Sequence, residues 1–326
     1  MQFETLTKKQ LQFIRLLYKR TERYRHGLFV IEGARAVKQA LLNNVLTVFA
    51  LVGTKRSLDL MEMDPEFFSL VKTRMPEGEA PFAKTGKDEA AFAKTGKGEA
   101  AFAKTGKDDA KYAKTEKDDA GFARPETANG VLPMEVLSVY RVTSASFRLI
   151  SDTEATQEIL LVCSLPEPAS ESDLLGGSGL VLASDRIQDP GNMGSIIRTA
   201  VWFGVKGLVV SPDNVDLFHP KLVRSNVGST AVLPWVKSEL PVFLDMASQK
   251  GWNVLLLDSG DGSESYKKVK PSGKDIIVVG NEANGISKEI MDLRFPKLRI
   301  DSGLPVAHVE SLNVSVAAAI MLSRFS

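Results

Sequence analysis

Three short polar clusters stand out because the apolar segments around them do not need them to form a core. The first is Asn192 and Arg198, in Asp189-Pro190-Gly191-Asn192-Met193-Gly194 and the segment that follows. The second is Gly280-Asn281-Glu282-Ala283-Asn284-Gly285, at the end of the apolar run Ile276–Val279. The third is Glu310, Ser311 and Asn313, ahead of an Ala-rich apolar stretch that ends the chain. Together they offer carboxylates, four amides, a hydroxyl and a guanidinium. Such a set suits gripping and orienting a polar ligand. The glycines of the second cluster allow tight turns near it.

Each of these residues also has an ordinary reading. Asn192 could cap the helix that starts near Pro190, and Ser311 could cap the last helix. Arg198 alone would be a surface helix arginine, and Glu282 could answer a nearby helix N-terminus. The argument for a site is their joint placement. In open α/β sheets ligands sit beyond the carboxyl ends of the strands, and all three clusters fall at such places.

The elements that must position them are legible. From Gly179 the chain alternates strand and helix: strands at 179–183, 205–211, 231–236, 252–258, 276–280 and 298–300, helices at 190–203, 220–227, 240–250 and 287–293, and a final helix. Continuous apolar strands between helices mean a mostly parallel sheet covered on both faces. Ahead of it, 1–165 reads as a smaller α/β unit: a helix over 7–19, strands at 28–31, 45–52, 136–142 and 159–165, and helices at 34–42 and 144–149. Its first segment carries Lys8, Arg15, Lys19, Arg23 and Arg25. The sharper reading of that run, against a solvated face, is contact with nucleic-acid phosphates. Residues 166–178 have linker composition. Residues 76–127 hold a ten-residue repeat, FAKTGKDEAA and its variants, with one aromatic per copy. No continuous face can be buried at that period, so it is read as a low-complexity, mostly disordered insertion.

Composition excludes several alternatives. Lys+Arg 41 against Asp+Glu 40 gives a net charge of +1, so bulk charge points to no partner. One cysteine, Cys163, lies within an apolar run, and His26, His219 and His308 are far apart, so no metal site is expected. No segment approaches the roughly 20 apolar residues of a membrane helix, and the polar N-terminus is no signal peptide; a cytoplasmic protein is expected. A dinucleotide fingerprint fails because Gly176-Gly177-Ser178-Gly179 precedes a strand instead of following one.

The runs PGNMGSIIRTA, IIVVGNEANGIS and ESLNVSVAAAI, in that order, resemble the three motifs of the SpoU-type (TrmH-like) RNA 2′-O-ribose methyltransferases of the SPOUT superfamily. The resemblance covers about 179–326, and Lys221–Ser225 with Gly228 adds to it. More weakly, Phe29-Val-Ile-Glu-Gly33 resembles the substrate-binding domain found ahead of many such enzymes. The resemblance implies an α/β fold with a deep C-terminal trefoil knot. It also implies a homodimer, S-adenosylmethionine as cofactor and RNA as substrate. It carries over Asn192, Arg198, Glu282, Ser311 and Asn313 as the catalytic set, and Leu257, Gly280, Ile300, Leu304 and Leu312 as cofactor contacts. Arg224 joins the RNA contacts. A guanidinium keeps its proton, with a pKa above about 12, so Arg198 is read as orienting a phosphate. The loop Gly303–His308 departs from the family's pattern, and His308 is given no role. Ribosomal RNA is expected over transfer RNA, because a separate first domain is present and the chain stops after the third motif. The alternatives are a transfer-RNA enzyme and a non-catalytic RNA binder on the same scaffold.

Overall fold

A computed structural model describes residues 5–74, 137–303 and 311–326. The repeat insertion, Leu304, His308 and Glu310 lie outside the described residues. Among the described residues no helix is long and apolar enough to cross a membrane.

The first unit is a four-stranded mixed sheet of β1 (Leu28–Glu32), β2 (Val48–Thr54), β3 (Ser138–Val142) and β4 (Ile159–Ser164), in the order β1-β4-β2-β3. β4 runs antiparallel to β1 and β2, and β2 runs parallel to β3. Side chains alternate across the strands, so each face has its own core. Val30, Val52, Leu160 and Val162 meet α1 (Lys8–Leu16) and α6 (Ser144–Ile150) on one side. Phe29, Ile31, Leu51 and Leu161 meet α3 (Ala34–Asn43), α4 (Lys55–Glu62) and α5 (Pro65–Lys72) on the other.

The helix expected over 7–19 forms as α1, three residues shorter at its end, and a second helix that was not expected follows it. α1 starts on a capping box between Thr7 and Gln10, and a second helix, α2, runs from Arg20 to His26. The turn between the two follows from Arg23, whose guanidinium accepts no exposure: it is 1% exposed and donates to the carbonyls of Tyr18 at 2.7 Å and Leu17 at 3.2 Å. Those carbonyls would otherwise be unsatisfied at a helix C-terminus.

The second unit is a seven-stranded, wholly parallel sheet. Its strands are β5 (Gly179–Ser184), β6 (Gly207–Val210), β7 (Trp235–Lys237), β8 (Asn253–Leu257), β9 (Glu264–Ser265), β10 (Lys274–Val279) and β11 (Lys297–Arg299). Their order is β7-β6-β5-β10-β8-β11-β9. Leu182, Leu208, Ile277 and Val279 point to α8 (Pro190–Trp202), α9 (Pro220–Ser225) and α12 (Val314–Phe325). Val181, Val209, Ile276 and Val278 point to α7 (Glu171–Leu175), α10 (Leu240–Gln249) and α11 (Lys288–Met291). The supposed linker is therefore partly core. α7 has its own Ser170–Asp173 capping box, buries Leu174 and Leu175, and takes a hydrogen bond from the Trp252 indole on the Leu175 carbonyl at 3.1 Å. The knot implied by the resemblance turns on the path through 304–310, outside the described residues.

The two units are packed together. Phe29 stacks edge-on against Phe218 at 5.1 Å, and Phe218 against Trp235 at 5.8 Å. Arg23 forms an ion pair with Asp216, which also accepts from the Tyr24 hydroxyl at 2.8 Å. Arg224 reaches Asp152 at 3.8 Å. These contacts correct part of the expected RNA surface: Arg23 is buried at this junction, and Arg224 is three-quarters buried beside it. Arg15 is also committed, donating to the Ser151 carbonyl at 2.7 Å. Lys8, Lys19 and Arg25 remain exposed.

Glu32, at the end of β1, is buried and accepts from four hydroxyls: Tyr18 at 2.9 Å, Ser151 at 2.6 Å, Thr153 at 2.9 Å and Thr156 at 2.8 Å. Burial pushes its carboxyl up, but the hydroxyls together outweigh that and hold it below the usual carboxylate range. A depressed folded value stabilises the protein above the unfolded pKa, and that stability is lost as pH falls through the folded value. Glu32→Gln should therefore cost about 2 kcal/mol at pH 7. The difference from the parent should shrink on acidification in urea unfolding.

Candidate active site

The site lies where the strand order reverses. From β5 the chain proceeds outward to β6 and β7, while β10, β8 and β11 occupy the other side. Loops leaving β5 and β10 diverge at such a switch point and leave a crevice above the carboxyl ends.

The loop after β10 is built by Asn281. Its backbone pairs with Gly285 in both directions, at 3.0 and 2.9 Å. Its side-chain oxygen accepts from the amides of Ala283 at 3.0 Å and Asn284 at 3.1 Å, and its amide donates to the Arg186 carbonyl at 2.8 Å. Gly285 takes a φ of 64°, a conformation that favours glycine. Gly280 is required by closeness: a Cβ there would sit 2.4 Å from the Gly285 carbonyl carbon. Past the loop, the buried carboxylate of Asp185, just beyond β5, accepts from the Ser287 amide at 2.6 Å. So the β5 and β10 ends are locked to each other.

Glu282 rides on this loop, exposed at its tip. Asn192 reaches it from the first turn of α8, donating to Glu282 Oε1 at 2.7 Å. Asn192 is free to do so because Asp189, not Asn192, caps α8, accepting the Asn192 backbone amide at 2.8 Å. The Asp-Pro pair is itself an N-terminal signal, with Pro190 at the first helical position. Asn313 closes the chain from the other side. It caps α12, in place of Ser311, and donates from Nδ2 to Asn192 Oδ1 at 3.0 Å. Residues 90 and 121 apart in sequence thus form one line, Asn313 to Asn192 to Glu282.

The remaining residues fall into two groups. Leu257, Gly280 and Ile300 sit at or just beyond the carboxyl ends of β8, β10 and β11, three neighbouring strands. Leu312 is 48% exposed next to the line of polar groups, and Ser311 is exposed beside it. Arg198 stands apart. It is six residues beyond Asn192 on α8, about 120° round the helix. Among the described residues it makes no hydrogen bond or ion pair. It shares an exposed stripe with Ser195 and with Trp202, which is 84% exposed.

A model of the SpoU rRNA Methylase family matches residues 179–323. The 23S rRNA (guanosine(2553)-2′-O)-methyltransferase RlmP of Bacillus subtilis (strain 168) is 32% identical over 187 residues, spanning 57% of this chain and 71% of that protein. This chain belongs to the SpoU methylase family. Among solved structures, a TrmH-family protein from Porphyromonas gingivalis aligns with a TM-score of 0.64 at 25% identity, covering 98% of each chain. The SpoU methyltransferase AviRb of Streptomyces viridochromogenes, in complex with the cofactor AdoMet, aligns at 0.65 with 20% identity over 98% of this chain and 97% of that one. At that identity the likeness shows the fold. The likeness covers both units of this chain, beyond the residues that carry the motifs.

Gly280→Ala places a methyl group against backbone that cannot rotate away. The SpoU domain should lose about 1–3 kcal/mol. Amide exchange should rise in 280–287 and at the start of α8, while the first sheet stays protected.

Proposed function

We propose that this chain transfers a methyl group from S-adenosylmethionine to a ribose 2′-hydroxyl of ribosomal RNA. The observation that carries this reading is the line Asn313–Asn192–Glu282, which unites one residue from each of the three motifs at the crevice. Family membership supports the reaction, and the 23S rRNA relative supports ribosomal over transfer RNA.

The residues present suit the cofactor. Gly280 lets the loop after β10 fold back flat against the strand end, and Leu257, Ile300 and Leu312 supply apolar surface for an adenine and ribose. Leu304 would add to them from outside the described residues. When bound, the cofactor supplies an electrophilic methyl carbon on a sulfonium, open to in-line attack by an oxygen. The protein's part is alignment, which can supply several powers of ten in rate. The Asn192 and Asn313 amides hold the ribose hydroxyls, and the Glu282 carboxylate fixes Asn192 in the orientation that presents them. Ser311 lies beside Asn313 and steadies the nucleotide. The Arg198 guanidinium grips the phosphate next to the reacting ribose.

Arg198 can reach such a phosphate only at the crevice of a second copy. The stripe of Arg198 and Trp202 borders an apolar cleft between α8 and α12, lined by Thr199, Phe203, Val316, Ala319 and Ile320. Exposed apolar surface of this kind favours association. We read it as the face of a homodimer in which each α8 carries Arg198 to the partner. The protein is placed in the cytoplasm, with its RNA.

Ribose-methylation mapping on RNA from cells with and without the gene tests the reaction; identical maps would reject it. Arg198→Ala should lower kcat about 10²–10³-fold and leave cofactor affinity unchanged in calorimetry. Mixing Arg198→Ala with Glu282→Ala protein, each strongly impaired alone, should raise methylation above either, since the mixed dimer holds one intact site. Trp202→Glu should shift the sedimenting species to monomer.

A further inference from the structure

The basic segment at the start of the chain is only partly available to RNA, since Arg23 is buried at the domain junction and Arg15 donates to the Ser151 carbonyl within the first unit. A different surface of the first unit offers more. β1, β2 and β3 all point the same way, so their carboxyl ends, together with the start of β4, share one edge of the sheet. α3, α4 and α6 begin at that edge. Between them lies a groove of about 1480 Å³. That exceeds the roughly 300–1,000 Å³ of small-ligand pockets.

Its cations converge from separate elements: Arg35 on α3, Lys55 and Arg56 on α4, Arg141 on β3 and Arg148 on α6. All five are exposed. A sixth, Lys38, is already held by Asp64 and Glu66, both at 2.7 Å. Of the three carboxylates lining the groove, Asp64 is engaged with Lys38, and Glu158 accepts the Thr54 hydroxyl at 2.9 Å. Arg35, Lys55, Arg56 and Arg148 have no carboxylate partner among the described residues. The rim carries Leu60 and Met63, 59% and 78% exposed. Four unpaired cations along one groove, with apolar surface beside them, match a polyanion that also presents bases and riboses.

We propose that this groove is the RNA-backbone site of the protein, with Arg35, Lys55, Arg56 and Arg148 on successive phosphates and Leu60 and Met63 against the sugars and bases. It rests on the reading of the chain as an RNA methyltransferase and locates where the first unit takes hold of that RNA. The groove, not the α1–α2 segment, dominates affinity.

The test uses the full chain and deproteinised 23S ribosomal RNA. Fluorescence anisotropy compares the parent with two sets of substitutions: Arg35→Gln, Lys55→Gln, Arg56→Gln and Arg148→Gln in the groove, and Lys8→Gln, Lys19→Gln and Arg25→Gln on α1–α2. The groove set should weaken binding about tenfold or more and flatten the slope of log affinity against log salt by about 3, since each single-strand phosphate contact contributes about 0.7. The α1–α2 set should have the smaller effect. Methylation by the groove set should show a raised KM with kcat retained, and S-adenosylmethionine binding should be unchanged. Ultraviolet crosslinking of the parent, which needs no substitution, should map to 34–38, 54–63 and 141–148. Parental affinity and slope in the groove set, or crosslinks confined to 5–26, would overturn the proposal. Groove-dependent binding without any methylation would uphold the groove and reject the catalytic reading instead.

Discussion

The closeness with which the chain turns back after β10 governs the site. Gly280 lies within a methyl group's reach of the Gly285–Ile286 peptide, so the loop folds flat against the strand end. Asn281 then satisfies that loop from inside and ties it to the Arg186 carbonyl, while Asp185 takes the Ser287 amide. A carboxylate at the tip of an unsupported loop would sample many positions. Here Glu282 is delivered to within hydrogen-bond distance of α8 because the loop beneath it has little freedom left.

The same logic explains why caps matter at this site. Asp189 and Asn313 both serve as helix N-caps, but with different consequences. Asp189 takes the capping duty and leaves the Asn192 side chain available. Asn313 caps with its carbonyl oxygen, which leaves its amide hydrogens to reach Asn192. An asparagine has both donors and an acceptor, so one side chain can hold its own helix and a neighbour at once. An aspartate could cap as well but could not donate onward.

In the first unit, charge is divided between holding the molecule together and facing outward. Arg23 is buried against Asp216 and two carbonyls, where removal of either partner would strand a charge. Its neighbours Lys19 and Arg25 stay exposed. Nothing in the run of basic residues distinguishes these fates, because burial of Arg23 depends on a carboxylate 193 residues away. The groove cations were invisible for the same reason: Arg35, Arg56 and Arg148 are scattered in sequence and meet only because three strands end on one edge.

Most of the strand–helix alternation from Gly179 onward was legible in local pattern, since continuous apolar strands and amphipathic helices are local. The strand expected over 231–236 is only Trp235–Lys237, after a 3-10 turn at Ser229–Ala231, and Glu264–Ser265 adds a strand that was not expected. The sequence by itself determined the three motifs and hence the family. Cys163 as a buried residue of β4 was likewise legible in its apolar run. Asp189 and Asn313 cap α8 and α12 by contacts two or three residues long, whereas the turn between α1 and α2, held by Arg23 against Asp216, and the burial of α7 inside the supposed linker were decided by contacts between distant segments. So was the split of the proposed catalytic set: Asn192, Glu282 and Asn313 join in one line, while Arg198 faces outward on the other side of α8. Periodicity shows which face of a helix is apolar. Only packing decides what each remaining face will meet.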